Sequence, residues 1–344
     1  MKKLLLTLIL LAACAGAGPL PGPQNPGTMR YNYGPSILWN SEAVKWQAWW
    51  CGPKLDSAGK VIGGDAIWYS DSADASAWSQ SRIVFQAAAS GWDSYHTCDP
   101  SVLRNVKLAG VMRPYVLYYT GADGKSGGDN DGRIGVAYSS DGLNWTRVQQ
   151  LTLPCQTTLS LGCQHFNAMK LRGGDPDPGF GGRYVAVYSQ SKPDDSTGTY
   201  AVESPDGINW WGNAGAPGSP PQRLQFPADL GSQYMSSGAD LMFEPRAGRF
   251  LLALTAFDKE YLLTIPARWY GGIEGASPAT TLAIQTVGPE GSFVPGFFRT
   301  TDGYRPWSPG ADAWTLWTMT SGRNIRGADG QPRETQLVRL RWEY

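Results

Sequence analysis

Between Asp99 and Gln149 the chain reads DPSVL (99–103), YVLYYT (115–120), IGVAYS (134–139) and SSDGLNW (139–145), closing on Arg147-Val148-Gln149. The first three segments are short apolar runs rich in Val, Ile and Tyr, as buried strands are. Asp141-Gly142 supplies the φ > 0 geometry that a tight hairpin needs. Read together, the segments make four short antiparallel strands joined by turns, one sheet with no helix in it.

The same order recurs on both sides. Upstream stand GPSIL (34–38), Trp46–Trp50, AIWYS (66–70), Asp74–Trp78 and Arg82-Ile83-Val84-Phe85. Downstream, Asn167–Leu171 precedes YVAVYS (184–189), YAVES (200–204) and SPDGINW (204–210). A fourth copy is Gly238–Phe243, Phe250–Thr255 and Tyr261–Ile265, and a degenerate fifth is Gly296–Thr300, Trp314–Met319 and Leu337–Trp342. A β-unit repeated at a spacing of about 58–71 residues is the signature of a radial array. The expectation is an all-β, five-bladed β-propeller, in which short antiparallel sheets stack face to face and leave only short, protected edges. The two S-x-D-G-x-x-W turns are read as structural, each Trp packing back on its blade.

At the N-terminus, Lys2 and Lys3 precede an apolar run ending at Leu11-Ala12-Ala13-Cys14. The run is too short to span a bilayer and reads as a secretory signal with a lipobox. Residues 1–13 are expected to be a signal peptide, and Cys14 to carry the acyl chains, palmitate among them. With Ala15 after the cysteine, the expected location is the outer membrane or cell surface. Residues 14–28, rich in Gly, Pro and Ala, read as a flexible tether, and 29–344 as the propeller domain. Charge is balanced, 29 basic residues against 29 acidic, so no polyanion is implied and nucleic acid is excluded as a partner.

Four further cysteines, Cys51, Cys98, Cys155 and Cys163, suit disulfides in an oxidising compartment. Three pairings are possible; the favoured one closes a short loop from Cys155 to Cys163 and bridges neighbouring blades from Cys51 to Cys98. No pair has the C-x2-C spacing of a structural zinc site, so no metal ligands are assigned. Asp129-Asn130-Asp131-Gly132 and Asp175-Pro176-Asp177 resemble fragments of calcium loops without the full ligand set. They read as solvated turns, and Ca²⁺ is the one cofactor in view.

The repeated D-P-S-[VI] strands, Y-x-L-Y-Y-T strands, I-G-V-A-x-S strands and S-x-D-G-x-x-W turns resemble the five-bladed glycoside hydrolase superfamily of arabinanases, β-xylosidases and invertases, over residues 30 to 342. That resemblance implies a carbohydrate partner and three carboxylates at the channel mouth: a base Asp, a second Asp that tunes it, and an acid Glu. One must protonate the leaving oxygen while another activates water or attacks carbon. Carried over position by position, the base is replaced by Gly34, the second blade offers Asp99, the third reads Cys163–Met169 with no acid, and the fourth offers Asp240. Either Asp99 and Asp240 form a re-sited catalytic pair, or catalysis is lost and the mouth only binds glycan.

The only histidines, His96 and His165, lie just upstream of inner strands. Each suits substrate binding, holding a carboxylate ionised, or coordinating a central ion. Tyr33, Trp92, Tyr95, Phe166 and Tyr234, near the starts of inner strands, are the candidate sugar-stacking residues, with Asn167 beside them.

Overall fold

The computed structural model describes residues 20–21, 30–58, 60–125, 131–153, 162–171, 184–191, 197–212, 217–224, 235–245, 248–256, 259–266, 280–285, 293–306, 315–321, 325–326, 332–335 and 337–343. All of its named elements are strands. The chain opens with β1 (Leu20–Pro21) and β2 (Arg30–Tyr31). The first repeat is β3 (Tyr33–Asn40), β4 (Lys45–Leu55), β5 (Val61–Ser72) and β6 (Arg82–Phe85). The second is β7 (His96–Leu108), β8 (Val111–Ala122), β9 (Arg133–Ser139) and β10 (Trp145–Gln150). The third is β11 (Cys163–Lys170), β12 (Tyr184–Ser191), β13 (Thr197–Ser204) and β14 (Gln222–Arg223). The fourth is β15 (Met235–Glu244), β16 (Arg249–Ala256), β17 (Lys259–Pro266) and β18 (Thr280–Gln285). Last come β19 (Phe293–Arg299), β20 (Thr315–Ser321), β21 (Ile325–Arg326), β22 (Pro332–Thr335) and β23 (Leu337–Glu343).

These strands form a β-propeller, with one correction to its count. Repeats two, three and four are separate four-stranded sheets, but the first and last share one eight-stranded sheet, β1-β23-β20-β19-β3-β4-β5-β6. Four main sheets therefore stand where five were expected, with a small β2-β22-β21 sheet besides. The cause is the parallel pairing of β19 with β3 at Phe298–Ile37 and Arg299–Leu38. β1 pairs with β23, so chain start and chain end are stitched into the same sheet.

Apolar clusters lie between successive sheets. Leu38, Trp49, Ile67 and Tyr69 pack on Val102, Tyr115, Leu117 and Tyr119; Leu103, Val116 and Tyr118 pack on Phe166, Tyr184 and Trp210. Met169, Val185 and Val187 meet Leu241, Phe243 and Phe250, and Phe297 joins Met242 and Leu251. Period-two alternation sends both faces of each sheet into such a layer, so burial itself drives the face-to-face stacking.

The S-x-D-G-x-x-W turns fasten the layers. Ser139 Oγ accepts the Gly142 N–H (2.9 Å), Asp141 accepts those of Leu143 and Asn144 (both 2.8 Å), and Gly142 has φ 78°. Its buried carbonyl then accepts the indole N–H of Trp49 from the neighbouring sheet (2.9 Å). The second copy repeats this, with Tyr118 Oη donating to the Gly207 carbonyl (2.8 Å). The turns are thus structural as expected, and they latch one sheet to the next.

Candidate site at the channel mouth

Each inner strand slips register near its start: β3 between Tyr33 and Ser36, β7 between Cys98 and Ser101, β11 between Gln164 and Asn167, β15 between Met235 and Ala239, and β19 between Phe293 and Gly296. A bulge re-aims the side chain it carries. The residue at the bulge has positive φ in the first three, 58° at Gly34, 49° at Asp99 and 53° at His165. The three inner strands are also set by the same offset: Ser36 Oγ accepts the Val102 N–H (3.0 Å) and Ser101 Oγ the Ala168 N–H (2.9 Å). Gly34, Asp99 and His165 therefore occupy one repeated position, and the bulged end of the inner strands is the mouth.

Asp99 and His165 meet there. His165 Nδ1 lies 3.0 Å from Asp99 Oδ1, with the two side chains 6% and 5% exposed. The His165 backbone N–H is shared between Asp99 Oδ2 and Thr120 Oγ1, each at 3.2 Å. Among the described residues neither Nδ1 nor Oδ1 has another hydrogen-bond partner. Burial by itself would raise the Asp99 pKa. The His165 charge and hydrogen bond, Thr120 and the His96 charge outweigh it, and Asp99 is held below the ordinary carboxylate value.

His96, also buried, accepts the Asp65 backbone N–H on Nδ1 (3.2 Å). That assignment puts the proton of the neutral ring on Nε2. The Asp65 carboxylate, on β5, accepts from Tyr33 Oη at 2.6 Å. The Cys51–Cys98 disulfide, whose Cys98 Sγ has no proton to give, lies 2.9 Å from that hydroxyl. Cys51, Cys98 and Asp65 stand close enough to suggest a metal cluster, but the disulfide occupies both sulfurs. The expected bridge between neighbouring repeats is present. Cys163 is disulfide-bonded too, while Cys155 lies outside the described residues.

Other candidates are placed differently. Asp240 is 1% exposed and its Oδ1 lies 3.1 Å from Arg299 Nη1, an arginine with no exposure at all. Its oxygens also accept the backbone N–H groups of Phe297 (2.7 Å) and Leu241 (2.9 Å). Burial raises its pKa, against the Arg299 charge and those two donors. Arg299 in turn donates to the Leu241 and Ala168 carbonyls and to Ser36 Oγ, tying together strands of the first, third, fourth and last repeats. Asp240 thus belongs to a buried structural pair. Glu244 lies at the other end of β15, paired with Arg249 and Arg305.

Phe166 is fully buried among Tyr118, Tyr188 and Trp210 and offers no stacking face. The Asn167 amide donates to the Ala239 carbonyl, an inter-strand tie. Half-buried Trp92 stacks on Tyr119 at 5.7 Å. Tyr95, immediately before β7, is 37% exposed, with Gly124 close against its ring. Tyr234, Asp129 and the 175–177 segment lie outside the described residues.

Sequence reasoning passed over Asp65. The signal was the Gly63-Gly64 pair before it, since a Cβ at Gly64 would lie 2.6 Å from the Tyr95 carbonyl. Only glycine lets β5 come so close to the strand that bears His96.

No family profile and no curated protein matches this chain. Solved structures do. A family 117 glycoside hydrolase from the marine bacterium Zobellia galactanivorans superposes with a TM-score of 0.59 at 11% identity, over 95% of this chain and 88% of its own. An endo-arabinase from Bacteroides thetaiotaomicron gives 0.57 at 12%, over 94% and 97%. An α-L-arabinofuranosidase from Podospora anserina gives 0.54 at 14%, over 95% of both chains. At these identities the likeness establishes the fold: this chain has the propeller architecture shared by those glycoside hydrolases.

Proposed function

We propose that this protein acts on carbohydrate at the propeller mouth, as a glycoside hydrolase built around Asp99 and His165. One observation carries the reading: two side chains from different sheets, on equivalent bulges and in left-handed backbone, are brought to 3.0 Å of each other in near-complete burial. Non-glycine residues in that conformation cost free energy and persist where the surroundings impose them, as at functional sites. The ionised Asp99 would hold the Nδ1–H tautomer of His165, which leaves Nε2 to take or give a proton. Asp65 would supply the carboxylate that Gly34 does not, and Tyr95 a ring for the sugar face. The solved structures of like fold include an endo-arabinase, an α-L-arabinofuranosidase and a fructofuranosidase, so arabinofuranosides and fructofuranosides are the substrates to test first.

A second reading, glycan capture without cleavage, is favoured by Gly34 at the first bulge and by the commitment of Asp240 to Arg299. In either case the protein would be exported and held by acyl chains on Cys14 at the outer membrane or cell surface. Hydrolysis of a polysaccharide panel, with binding measured in parallel, separates the two. Turnover abolished in Asp99→Asn supports hydrolysis, since asparagine tolerates the φ of 49° and keeps the fold. Binding without turnover selects capture, and full turnover in that variant removes Asp99 from the mechanism.

A further inference from the structure

β1 runs antiparallel to β23, with Leu20 opposite Arg339 and Pro21 opposite Val338. β23 in turn pairs Leu337 with Ser321 and Glu343 with Thr315. Ser321 faces Phe293 at the bulged end of β19, so Leu337 lies toward the mouth and Glu343 toward the opposite face. The step from Leu20 to Pro21 is therefore a step toward the mouth and away from the opposite, lower side. Cys14 is six residues before Leu20. Fully extended, that stretch reaches about 20 Å.

The lower face carries an independent feature. The β3–β4 turn ends in Val44, 65% exposed with φ 51°. A β-branched residue in left-handed backbone is a steric outlier, and here its side chain is largely exposed. On the adjacent repeat the β7–β8 turn passes through Ala109 and Gly110, both of positive φ, to Val111 and Met112, 51% and 54% exposed. The exposed Lys107 stands beside them. Two neighbouring hairpin tips thus offer apolar side chains on the side that β1 runs away from.

We propose that the lower face of the propeller rests on the lipid surface, with Val44, Val111 and Met112 dipping into the headgroup layer and the mouth facing away from the membrane. An acyl anchor gains hold from a second apolar contact of this kind. The mouth would then meet polymeric substrate in open solution. The inference rests on acylation of Cys14, and the test keeps the two apart.

Full-length protein is extracted from membranes of an expressing bacterium and its mass measured, then reconstituted in vesicles of phosphatidylethanolamine and phosphatidylglycerol. Environment-sensitive fluorophores are placed singly at Met112→Cys and, as the mouth-side control, at Ile62→Cys, a site 40% exposed on the mouth end of β5. The expected result is a blue shift at 112 and quenching by spin-labelled lipid several-fold stronger there than at 62. An unmodified Cys14 overturns the anchor and the orientation together. Acylated protein with stronger quenching at 62, or none at either site, overturns the orientation alone. A blue shift at 112 in lipid-free Cys14→Ser protein would mean that a second copy covers the tips, and also overturns it.

Discussion

Replacing Arg299 with methionine tests whether Asp240 is structural. The arginine is wholly buried, pairs with Asp240 at 3.1 Å, and reaches Leu241, Ala168 and Ser36 on other strands. Its removal leaves a buried carboxylate whose remaining partners among the described residues are the Phe297 and Leu241 N–H groups. Breaking one side of a buried pair costs about 3–5 kcal/mol, and the two surviving donors put this case toward the lower figure. For a domain of this size that is a fall of roughly 5–8 °C in melting temperature. Burial already raises the Asp240 pKa, and loss of Arg299 must raise it further. A carboxyl with a raised folded pKa binds its proton more tightly when folded, so the variant's deficit should shrink as pH falls through that raised value. The double variant Arg299→Met, Asp240→Leu should recover most of the loss, because an apolar pair of similar volume removes the unpaired charge. Calorimetry between pH 4 and 8 decides it. A single variant as stable as the parent refutes the reasoning, as does an Asp240→Asn protein that keeps its stability but loses turnover.

Three other expectations follow from the same contacts. Asp99 is held below the ordinary carboxylate value, so its stabilising contribution is present above that value and is lost as pH falls through the depressed folded one; Asp99→Asn should flatten the acid limb of the stability profile, which denaturant titration at stepped pH would show. Trp49→Phe deletes the latch to the Gly142 carbonyl and leaves that acceptor buried, a loss of about 1–3 kcal/mol readable from urea midpoints. Removing the Cys51–Cys98 bridge in the Cys51→Ala, Cys98→Ala variant frees a separation of 47 residues, worth about 4 kcal/mol by loop entropy, and equal melting of reduced and oxidised parent would contradict it.

The all-β fold and its radial repetition were legible because every copy buries the same faces, and burial writes itself into alternation. The sheet count was not. The β3–β19 pairing joins the two ends of the chain, and nothing local in GPSIL or in FVPGFFR specifies a parallel neighbour. Phe166 was misplaced for a related reason: the extra residue in the β11 bulge inverts the alternation that the strand otherwise keeps, turning Phe166 into the core and His165 toward the mouth. Alternation did indicate that Asp240 points inward, but it carries no information about Arg299 arriving from β19. Aligning Cys163-Gln164-His165-Phe166-Asn167 under Thr97-Cys98-Asp99-Pro100-Ser101 would have put His165 in the position of Asp99. That substitution is chemical, an imidazole where a carboxylate stands one repeat earlier, and a search for acids alone passes over it.

The equivalence of the three bulges can be tested by filling the one that carries no side chain. Gly34 has φ 58°, close to the 49° of Asp99, so aspartate is among the residues best able to replace it. The Ser36–Val102 and Ser101–Ala168 bonds, 3.0 and 2.9 Å, set the same offset between first and second repeats as between second and third. In Gly34→Asp the new carboxylate should therefore approach Asp99 as Asp99 approaches His165. Two carboxylates about 3 Å apart in a buried site cannot both ionise, and one pKa must rise by about a unit or more, each unit being about 1.4 kcal/mol. The folded variant then binds an extra proton in mildly acid solution, and its stability relative to the parent must fall as pH rises from 4 to 7. Carbon-13 spectra of aspartate-labelled protein would show a carboxyl titrating above the ordinary range. A parallel stability difference across that pH interval would mean that the side chain at 34 does not point where those at 99 and 165 do, and the common mouth position would have to be abandoned.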